Sequence, residues 1–244
     1  MKFLKNHPFS VSAHFERSTV LTFAIPKNQL LSFIPKCLEL DTFQDKWAFI
    51  AVAMVQTKHL RPKGTPKLLG NDFFLIGYRI FVRYRTSYGK RLRGLYIIKS
   101  ETNRKKMEFL GNIFTHYNYT TTDIKIEEKN GFRNFTSQKS NFRLKIDTTV
   151  PDPKLPVGSP FDEWKEARRF AGPLPFTFTY DKTDKSVLII EGVRTNWKPK
   201  AIEVMDYHFD FLENLNLDNT VLANAFEITD IPYYWKNGKK DIWK

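Results

Sequence analysis

Side chains of alternating polarity mark several segments of this chain as β-strands. The longest such run, from Phe73 to Arg85, has an apolar face, because successive side chains of a strand point to opposite sides. That face consists of Phe74, Ile76, Tyr78, Ile80, Val82 and Tyr84. The other face carries Arg79, which we expect to point inward or into a groove. The run exceeds the usual strand length of about 5–6 residues, so a strongly curved strand is predicted.

Further strands are predicted from the same patterns and from the turns between them. Trp47 to Val55 is short and nearly all apolar, as is typical of a strand buried on both faces. The turn at Ser87–Lys90 joins the long run to Arg91–Ser100 in an antiparallel hairpin. Two more hairpins are predicted, Phe132–Thr136 with Phe142–Thr148 and Phe176–Tyr180 with Ser186–Glu191.

Three short helices are predicted between the strands. The first, Pro26–Cys37, has apolar residues at helical spacing. The second covers about two turns, Arg104–Leu110, and ends at Gly111. The third, Ser159–Phe170, begins with a serine N-cap followed by proline. Residues 201–212 fit either a strand or a helix.

The stretch Phe114–Ile126 also alternates and is a candidate for a working site. Apolar Ile124 and Ile126 at its end indicate that the even-numbered residues face the interior. Polar groups turned inward would each cost roughly 1–3 kcal/mol if left without partners, so a polar-lined cavity is one prediction. The alternative is that they satisfy one another, or that a bulge reverses the register. The residues predicted to face inward are Phe114, His116, Asn118, Thr120 and Thr122.

Composition favours a large folded core. Hydrophobic residues make up 41% of the chain and aromatic residues 15%, which favours a β-rich globule over a disordered chain. Residues 1–244 are therefore predicted to form a single, mainly β (α+β) domain with a few short helices. The one cysteine, Cys37, excludes an internal disulfide and a cysteine-based metal cluster. Neither the apolar core of a signal peptide nor a membrane-spanning run is present, so we expect a cytoplasmic protein without membrane insertion.

Positive charge is concentrated in one part of the chain. The formal net charge is +13, and residues 61–120 hold 13 Lys and Arg against 3 Asp and Glu. An anionic partner is the natural interpretation, since a carboxylate, a phosphate, a nucleic-acid backbone or an acidic membrane surface would each be attracted. The alternative is a solvated basic face without a specific partner.

Candidate catalytic chemistry is limited to one pair of amines. Lys105 and Lys106 are adjacent, and a neighbouring cation favours a neutral amine that can form a Schiff base with a carbonyl substrate. Glu101 lies close enough in sequence to serve as an acid or base. The alternative is two lysines on the exposed side of a short helix. No Gly-rich phosphate loop, nucleophile turn or pair of metal ligands is present, so neither a cofactor nor a metal is predicted.

Five segments connect the chain to a known group of proteins: ELDTFQDKWAFIAVAMV, FFLIGYRIFVRY, RGLYIIKSETNRKKMEFLGNIFTHYNY, GVRTNWKPKAIEV and AFEITDIPYYW. Their order resembles that in the YqjF-like branch of the acetoacetate decarboxylase-like superfamily. Gly111, His116 and Tyr119 match the G…H-x-x-Y pattern of that branch, and Trp197 with Pro199 matches its W-x-P. The resemblance implies one domain built on a closed, cone-shaped antiparallel β-barrel with a ligand cavity in the cone.

The catalytic feature of the decarboxylase branch does not carry over. That branch uses a Pro-Lys-Lys triplet whose first lysine forms the Schiff base. In this sequence Asn112 and Ile113 lie nearest that place, and Lys105 and Lys106 lie several residues earlier. Decarboxylase chemistry is therefore not the favoured prediction.

We predict a protein that binds a small, anionic organic molecule in a barrel cavity. The first alternative is a decarboxylase or lyase that acts on a keto acid through a lysine imine, with Lys105 and Glu101 as catalytic residues. The second is nucleic-acid binding, which the basic and aromatic composition permits but no recognition motif supports. The sequence leaves open whether the protein is an enzyme and whether it forms a homo-oligomer. The predicted ligand contacts are Arg79, Arg93, His116, Asn118 and Tyr119.

Overall fold

Strands dominate the computed structural model, which describes residues 4–170, 172 and 174–243. The strands are β1 (Val11–Pro26), β2 (Glu39–Leu40), β3 (Trp47–Pro62), β4 (Asn71–Arg85), β5 (Arg91–Thr102), β6 (Tyr119–Thr121), β7 (Lys125–Lys129), β8 (Phe132–Ser137), β9 (Phe142–Asp147), β10 (Phe176–Asp181), β11 (Ser186–Arg194), β12 (Lys200–Ala201), β13 (Glu203–Phe209), β14 (Val221–Trp235) and β15 (Lys239–Ile242). The α-helices are α1 (Lys27–Leu30), α2 (Lys105–Phe114), α3 (Trp164–Phe170) and α4 (Asp210–Glu213). The predicted mainly β class is confirmed.

Seven strands of the larger sheet form a continuous set that we call the ring. Pairing runs from β14 through β1, β3, β4, β5 and β10 to β11. Strand β11 then pairs with β14, with Gly192 opposite Trp235 and Arg194 opposite Tyr233. The order of strands therefore returns to the strand from which it began. A smaller, four-stranded sheet has the order β13-β9-β8-β7.

Both faces of the ring strands are buried, which explains the long apolar segments in the sequence. On one face of β4, Phe74 and Tyr78 belong to a core shared with Phe135 and Phe142 of the smaller sheet. On the other face, Leu75 and the alternate residues of β3 belong to a second core. The predicted hairpin between β4 and β5 is confirmed, as are the hairpins β8–β9 and β10–β11.

Two pairings in the larger sheet are parallel, in contrast to the all-antiparallel arrangement that we expected. Strand β10 pairs with β5 from Phe176 opposite Gly94, and β6 pairs with β5 from Tyr119 opposite Ser100. Parallel neighbours need a long crossover connection. The segment between β5 and β10 supplies one, since it contains α2, three strands of the smaller sheet and α3. Local hairpin patterns carry no information about such a connection.

Two helices differ from the predicted ones at their ends. Helix α1 stops at Leu30 and is followed by a 3₁₀ turn, Leu31–Phe33. The backbone then becomes extended at Ile34, because the proline at position 35 disfavours a helical residue before it. Helix α3 begins at Trp164 and is shorter than predicted, and the Ser159 hydroxyl donates to the carbonyl of Ala223 and accepts from the amide of Phe161 before the helix begins.

The predicted strand Phe114–Ile126 is wrong in its bounds. Helix α2 continues through Gly111 to Phe114, and only Tyr119–Thr121 then pairs as β6. Gly111 is not a helix stop, because it lies buried where α2 meets Tyr119. A Cβ at Gly111 would lie 2.4 Å from Cδ2 of Tyr119. The glycine thus permits close packing of the helix on β6.

The predicted register of this stretch is also wrong before Thr122. Tyr117 and Tyr119 are buried, whereas Asn118 and Thr120 are exposed. The predicted register depends on Ile124 and Ile126, but Ile124 precedes β7 of the smaller sheet, and Ile126 within β7 is exposed. The phase of burial changes after Thr120, since Thr122, in the connection between β6 and β7, is buried.

No helix in the described part of the chain has the length and apolar character needed to cross a membrane.

Candidate functional site

A cavity of about 110 Å³ lies on the inner face of the ring. We call it the inner cavity. All seven ring strands contribute side chains to its wall, which is mainly apolar. None of the described residues that line it is an Asp, Glu or Lys. Its polar and aromatic-polar residues are Ser18, Arg79, Ser100, Tyr117, Tyr119, Thr177, Arg194, Trp197 and Tyr233.

Arg79 places a guanidinium in the inner cavity from the middle of β4. Its remaining accessible surface faces the cavity, since the side chain lies deep among the ring strands. Its Nε is buried without a hydrogen-bond partner, and no carboxylate among the described residues pairs with it. Burial lowers the pKa of Arg79. A guanidinium nevertheless stays protonated in proteins, so the cavity contains a positive charge that pairs with no carboxylate of the described residues.

Gly77 makes room for this guanidinium. It precedes Arg79 by two residues on the same face of β4. A Cβ at Gly77 would lie 2.7 Å from Nε of Arg79 and 3.0 Å from its Nη2. The arginine side chain therefore lies back along its own strand over the glycine.

Arg194 supplies a second guanidinium from the end of β11. Its Nη2 donates to the carbonyl of Leu174 at 3.2 Å, while its Nε is buried without a partner. The guanidinium lies 4.3 Å from the ring centroid of Trp197 and 5.1 Å from that of Tyr233. Aromatic faces stabilise a cation without neutralising it. Arg194 thus adds to the positive potential that acts on Arg79.

Hydrogen-bond donors complete the wall of the inner cavity. Burial raises the pKa of Tyr119 to about 12 and also raises the pKa of Tyr117, so both phenols are protonated at neutral pH. The indole Nε1 of Trp197 is buried without a partner. These groups and the two guanidinium ions all present N–H or O–H groups. The cavity is therefore suited to a ligand that accepts hydrogen bonds.

A larger cavity of about 360 Å³ adjoins the first, and we call it the outer cavity. It lies between α2, strands β3 and β4, and the segment that precedes β1. Arg104, Lys106 and Asp72 on its wall are exposed. The residues that line both cavities are Phe15, Leu75, Tyr117, Tyr119 and Trp235. The outer cavity therefore extends from the surface to the wall of the inner one.

Two of the five predicted ligand contacts, Arg79 and Tyr119, line the inner cavity. Arg93 lies elsewhere: its Nε donates to Asp41, its Nη1 donates to the carbonyl of Arg169 at 2.9 Å, and its guanidinium lies 4.9 Å from the ring centroid of Phe170. Because Asp41 is buried, Arg93 has a structural ion-pair partner that the sequence did not indicate.

His116 and Asn118 line neither the inner nor the outer cavity. His116 is half-buried, and burial lowers its pKa, with Lys5 also lowering it and Asp181 opposing. Asn118 is exposed. Both residues were predicted as ligand contacts because the wrong register, described above, placed the even-numbered side chains inside.

Lys105 and Glu101 do not meet in the structure. Lys105 is exposed on α2. Glu101 is buried on the face of β5 that points away from the inner cavity, where Oε1 accepts from Ser140 at 2.6 Å and pairs with Lys99 at 3.0 Å. Lys106, the other half of the lysine pair, is exposed at the edge of the outer cavity.

Three residues of the inner cavity were not predicted from the sequence: Arg194, Tyr233 and Tyr117. A sequence pattern could have indicated Arg194. Gly192 and Arg194 repeat the Gly-x-Arg pattern of Gly77 and Arg79 on an apolar strand face. In both cases the glycine leaves space for a polar side chain, since a Cβ at Gly192 would lie 1.8 Å from Oη of Tyr233. No local pattern marks the tyrosines as members of the same site.

The described residues contain no group of three His, Cys, Asp or Glu side chains placed to hold a metal ion.

Comparison by sequence identifies one family. Residues 12–234 match the profile of DUF2071, described as an uncharacterized conserved protein (COG2071). No curated protein matches the sequence.

Comparison with solved structures gives similar folds. Acetoacetate decarboxylase from Legionella pneumophila superposes with a TM-score of 0.64 at 11% identity, over 96% of this chain and 87% of that one. An acetoacetate decarboxylase-like enzyme from Sphingomonas wittichii RW1 gives 0.58 at 10% identity, over 99% and 94%. The enduracididine biosynthesis enzyme MppR, solved with the condensation product of pyruvate and imidazole 4-carboxaldehyde, gives 0.55 at 9%, over 96% and 90%. At these identities the similarity concerns the fold.

Proposed function

The chain belongs to the DUF2071 family and has an acetoacetate decarboxylase-like fold, and from this premise we propose that it binds a small organic acid in the inner cavity. The observation that carries the proposal is the half-buried guanidinium of Arg79, whose Nε is buried without a hydrogen-bond partner and which lines a cavity without carboxylates among its described residues. One similar structure is an acetoacetate decarboxylase, and another contains a condensation product of pyruvate. Both support a ligand of this class.

The charge of the cavity selects for an anion. A buried cation without a counter-ion is unfavourable, because low-polarity surroundings replace the water that would solvate it. A ligand carboxylate can accept two parallel hydrogen bonds from one guanidinium. In the inner cavity such a carboxylate would contact Arg79, and Arg194 would add to the positive potential around it.

The size and the donors of the cavity narrow the class of ligand. An apolar cavity of about 150 Å³ holds a molecule of benzene, so about 110 Å³ suits an acid group with only a few further atoms. Protonated Tyr117 and Tyr119 can donate to a carboxylate or a keto oxygen. A short carboxylic or keto acid matches both the volume and the donors.

We propose further that residues 1–244 form one domain in which the ring is a closed, cone-shaped β-barrel around the inner cavity. The pairing of β11 with β14 supports closure. Side chains from every ring strand line the same cavity, as expected for the interior of a barrel.

The proposal does not include a lysine imine. None of the described residues that line the inner cavity is a lysine, Lys105 is exposed, and Lys106 lies at the edge of the outer cavity. Binding of an acid needs only the guanidinium ions and phenols that the inner cavity contains.

Calorimetric titration with short carboxylic and keto acids, pyruvate and acetoacetate among them, tests the proposal. We expect measurable binding to the natural protein and a loss of about 10- to 100-fold in affinity in Arg79→Met, because hydrogen bonds to charged groups contribute about 1.5–3 kcal/mol.

Arg85→Met is the matched control, since Arg85 lies on the same strand and is exposed. Its affinity should equal that of the natural protein. Absence of binding by every acid, or equal affinity in Arg79→Met and Arg85→Met, would overturn the proposed function.

A further inference from the structure

We infer that the acid bound by this protein carries an apolar chain or ring, which occupies the outer cavity while the acid group lies in the inner one. The inference rests on the proposed function and extends it to the class of acid. It is carried by the outer cavity, which is about three times larger than the inner cavity and adjoins it.

The wall of the outer cavity is mainly apolar. Its apolar residues come from four separate parts of the chain and line the same cavity. They are Pro8, Phe9, Val11, Phe15, Leu60, Phe73, Leu75, Met107, Leu110, Phe114 and Trp235. An apolar cavity with a few polar groups at its edge is the usual form of a site for an organic ligand.

Two of the four charged residues of the outer cavity, Arg61 and Asp72, are engaged with other protein groups, and the other two, Arg104 and Lys106, are exposed at its edge. Arg61 donates through Nε to the carbonyl of Thr65 and through Nη1 to that of His59. Asp72 pairs with Lys58 at 3.3 Å and accepts from the backbone of His59. These contacts leave the apolar surface, rather than a charge, as the main feature that a ligand would meet there.

Tyr117 and Tyr119 lie between the two cavities. Both are buried and line both cavities, with ring centroids 6.3 Å apart. A molecule with its carboxylate at Arg79 would pass these two rings before its remaining atoms reached Met107 and Leu110 on α2. The order of groups along such a molecule is therefore acid first and apolar body second.

Calorimetric titration with straight-chain acids from butyrate to octanoate tests the inference. Burial of one methylene contributes enough for about a three- to fourfold gain in affinity. We expect the affinity to rise from butyrate to octanoate by at least about tenfold.

The variant Leu110→Trp should remove this gain, because a larger side chain on the wall would fill part of the outer cavity. Its affinity for butyrate should be unchanged, which also shows that the variant is folded. Phe109→Trp is the matched control, since the neighbouring Phe109 is exposed and lines neither cavity. This control should keep the full dependence on chain length.

The possible outcomes separate the two proposals. Equal affinity for butyrate and octanoate, or an equal loss for both acids in Leu110→Trp, would overturn the inference and leave the proposed function in place. If no acid of any length binds, the proposed function fails, and the inference fails with it.

Discussion

Arg79 shows how a single residue sets the character of the inner cavity. Gly77 and Phe81 flank it on the same face of β4, and the next residue on that face beyond Gly77 is Leu75. Burial of a charge without a partner opposes folding, so this arginine is retained at a cost in stability. Gly77 does not reduce this electrostatic cost; it only leaves space for the guanidinium. The pair therefore supports the proposed binding of an acid in the inner cavity.

The variant Gly77→Ala tests the arrangement without removing the charge. The new Cβ would meet the far end of a flexible side chain, so we expect the Arg79 guanidinium to move and the fold to persist. Affinity for a short acid should fall by about tenfold, as expected when a charged hydrogen bond is misplaced. Calorimetric titration measures the affinity, and circular dichroism checks the fold.

A double variant provides the control for this experiment. If the alanine acts only through Arg79, adding Gly77→Ala to Arg79→Met should cause no further loss of affinity. A loss that adds in full to that of Arg79→Met would show that Gly77 affects the cavity by some other route.

Helix α2 lines the outer cavity, and strand β6 packs beside it and places Tyr119 at both cavities. The side chain of Asn112 bridges them: its Nδ2 donates to the carbonyl of Tyr119 at 2.9 Å, and its Oδ1 accepts from the amide of the same residue at 2.8 Å. Gly111 permits the close approach that this pair of hydrogen bonds needs. The position of Tyr119 therefore depends on two adjacent residues of the helix.

Gly111→Ala should destabilise the protein even though alanine is the better helix former. A gain of about 1 kcal/mol from helix propensity is expected. The new Cβ would, however, overlap the buried ring of Tyr119, and overpacking of a core costs about 1–3 kcal/mol. Because the ring is rigid and enclosed, we expect a net loss of unfolding free energy in urea titrations.

Phe109→Ala on the same helix serves for comparison, since Phe109 is exposed and its loss should change stability by about 0.5 kcal/mol or less. A Gly111→Ala variant more stable than the natural protein would contradict the close-packing explanation.

At the scale of the whole molecule, the ring separates two cores. One lies between the ring and the smaller sheet, and the other surrounds the inner cavity. Burial lowers the pKa of two histidines, His7, which precedes β1, and His116, which lies between α2 and β6. Lys5 and Lys240 also lower the pKa of His116, while Asp181 opposes them, and a hydrogen bond with the backbone of Lys236 opposes the shift at His7.

These two shifts predict the direction of a pH dependence. A histidine whose pKa is lower in the folded state binds fewer protons there than in the unfolded chain, so stability falls as the pH decreases below about 6.5. We expect the urea midpoint to decrease between pH 7.5 and pH 5.5. The double variant His7→Gln, His116→Gln should show a smaller decrease, and an unchanged pH dependence would refute the assignment.

The sequence predicted local elements well and long-range contacts poorly. The hairpin of β4 with β5 followed from alternation and a short turn, both of which are properties of neighbouring residues. The ion pair of Arg93 with Asp41 joins β5 to the segment after β2. No local pattern could indicate it, and Arg93 was therefore assigned to a ligand. The register around Tyr117 and Tyr119 failed for the related reason that the chain changes sheets between β6 and β7.

What the sequence alone determined is the mainly β class, three hairpins and the inward side of β4 with Arg79. These depend on a period of two residues, which each segment carries within itself. Only the tertiary structure decided that Arg194 and Tyr233 meet Arg79 at one cavity and that β5 lies beside β10. Those positions are far apart in sequence, and the packing of the whole chain brings them together. Whether a cation is buried without an anion is likewise a property of its complete surroundings, which no short segment contains.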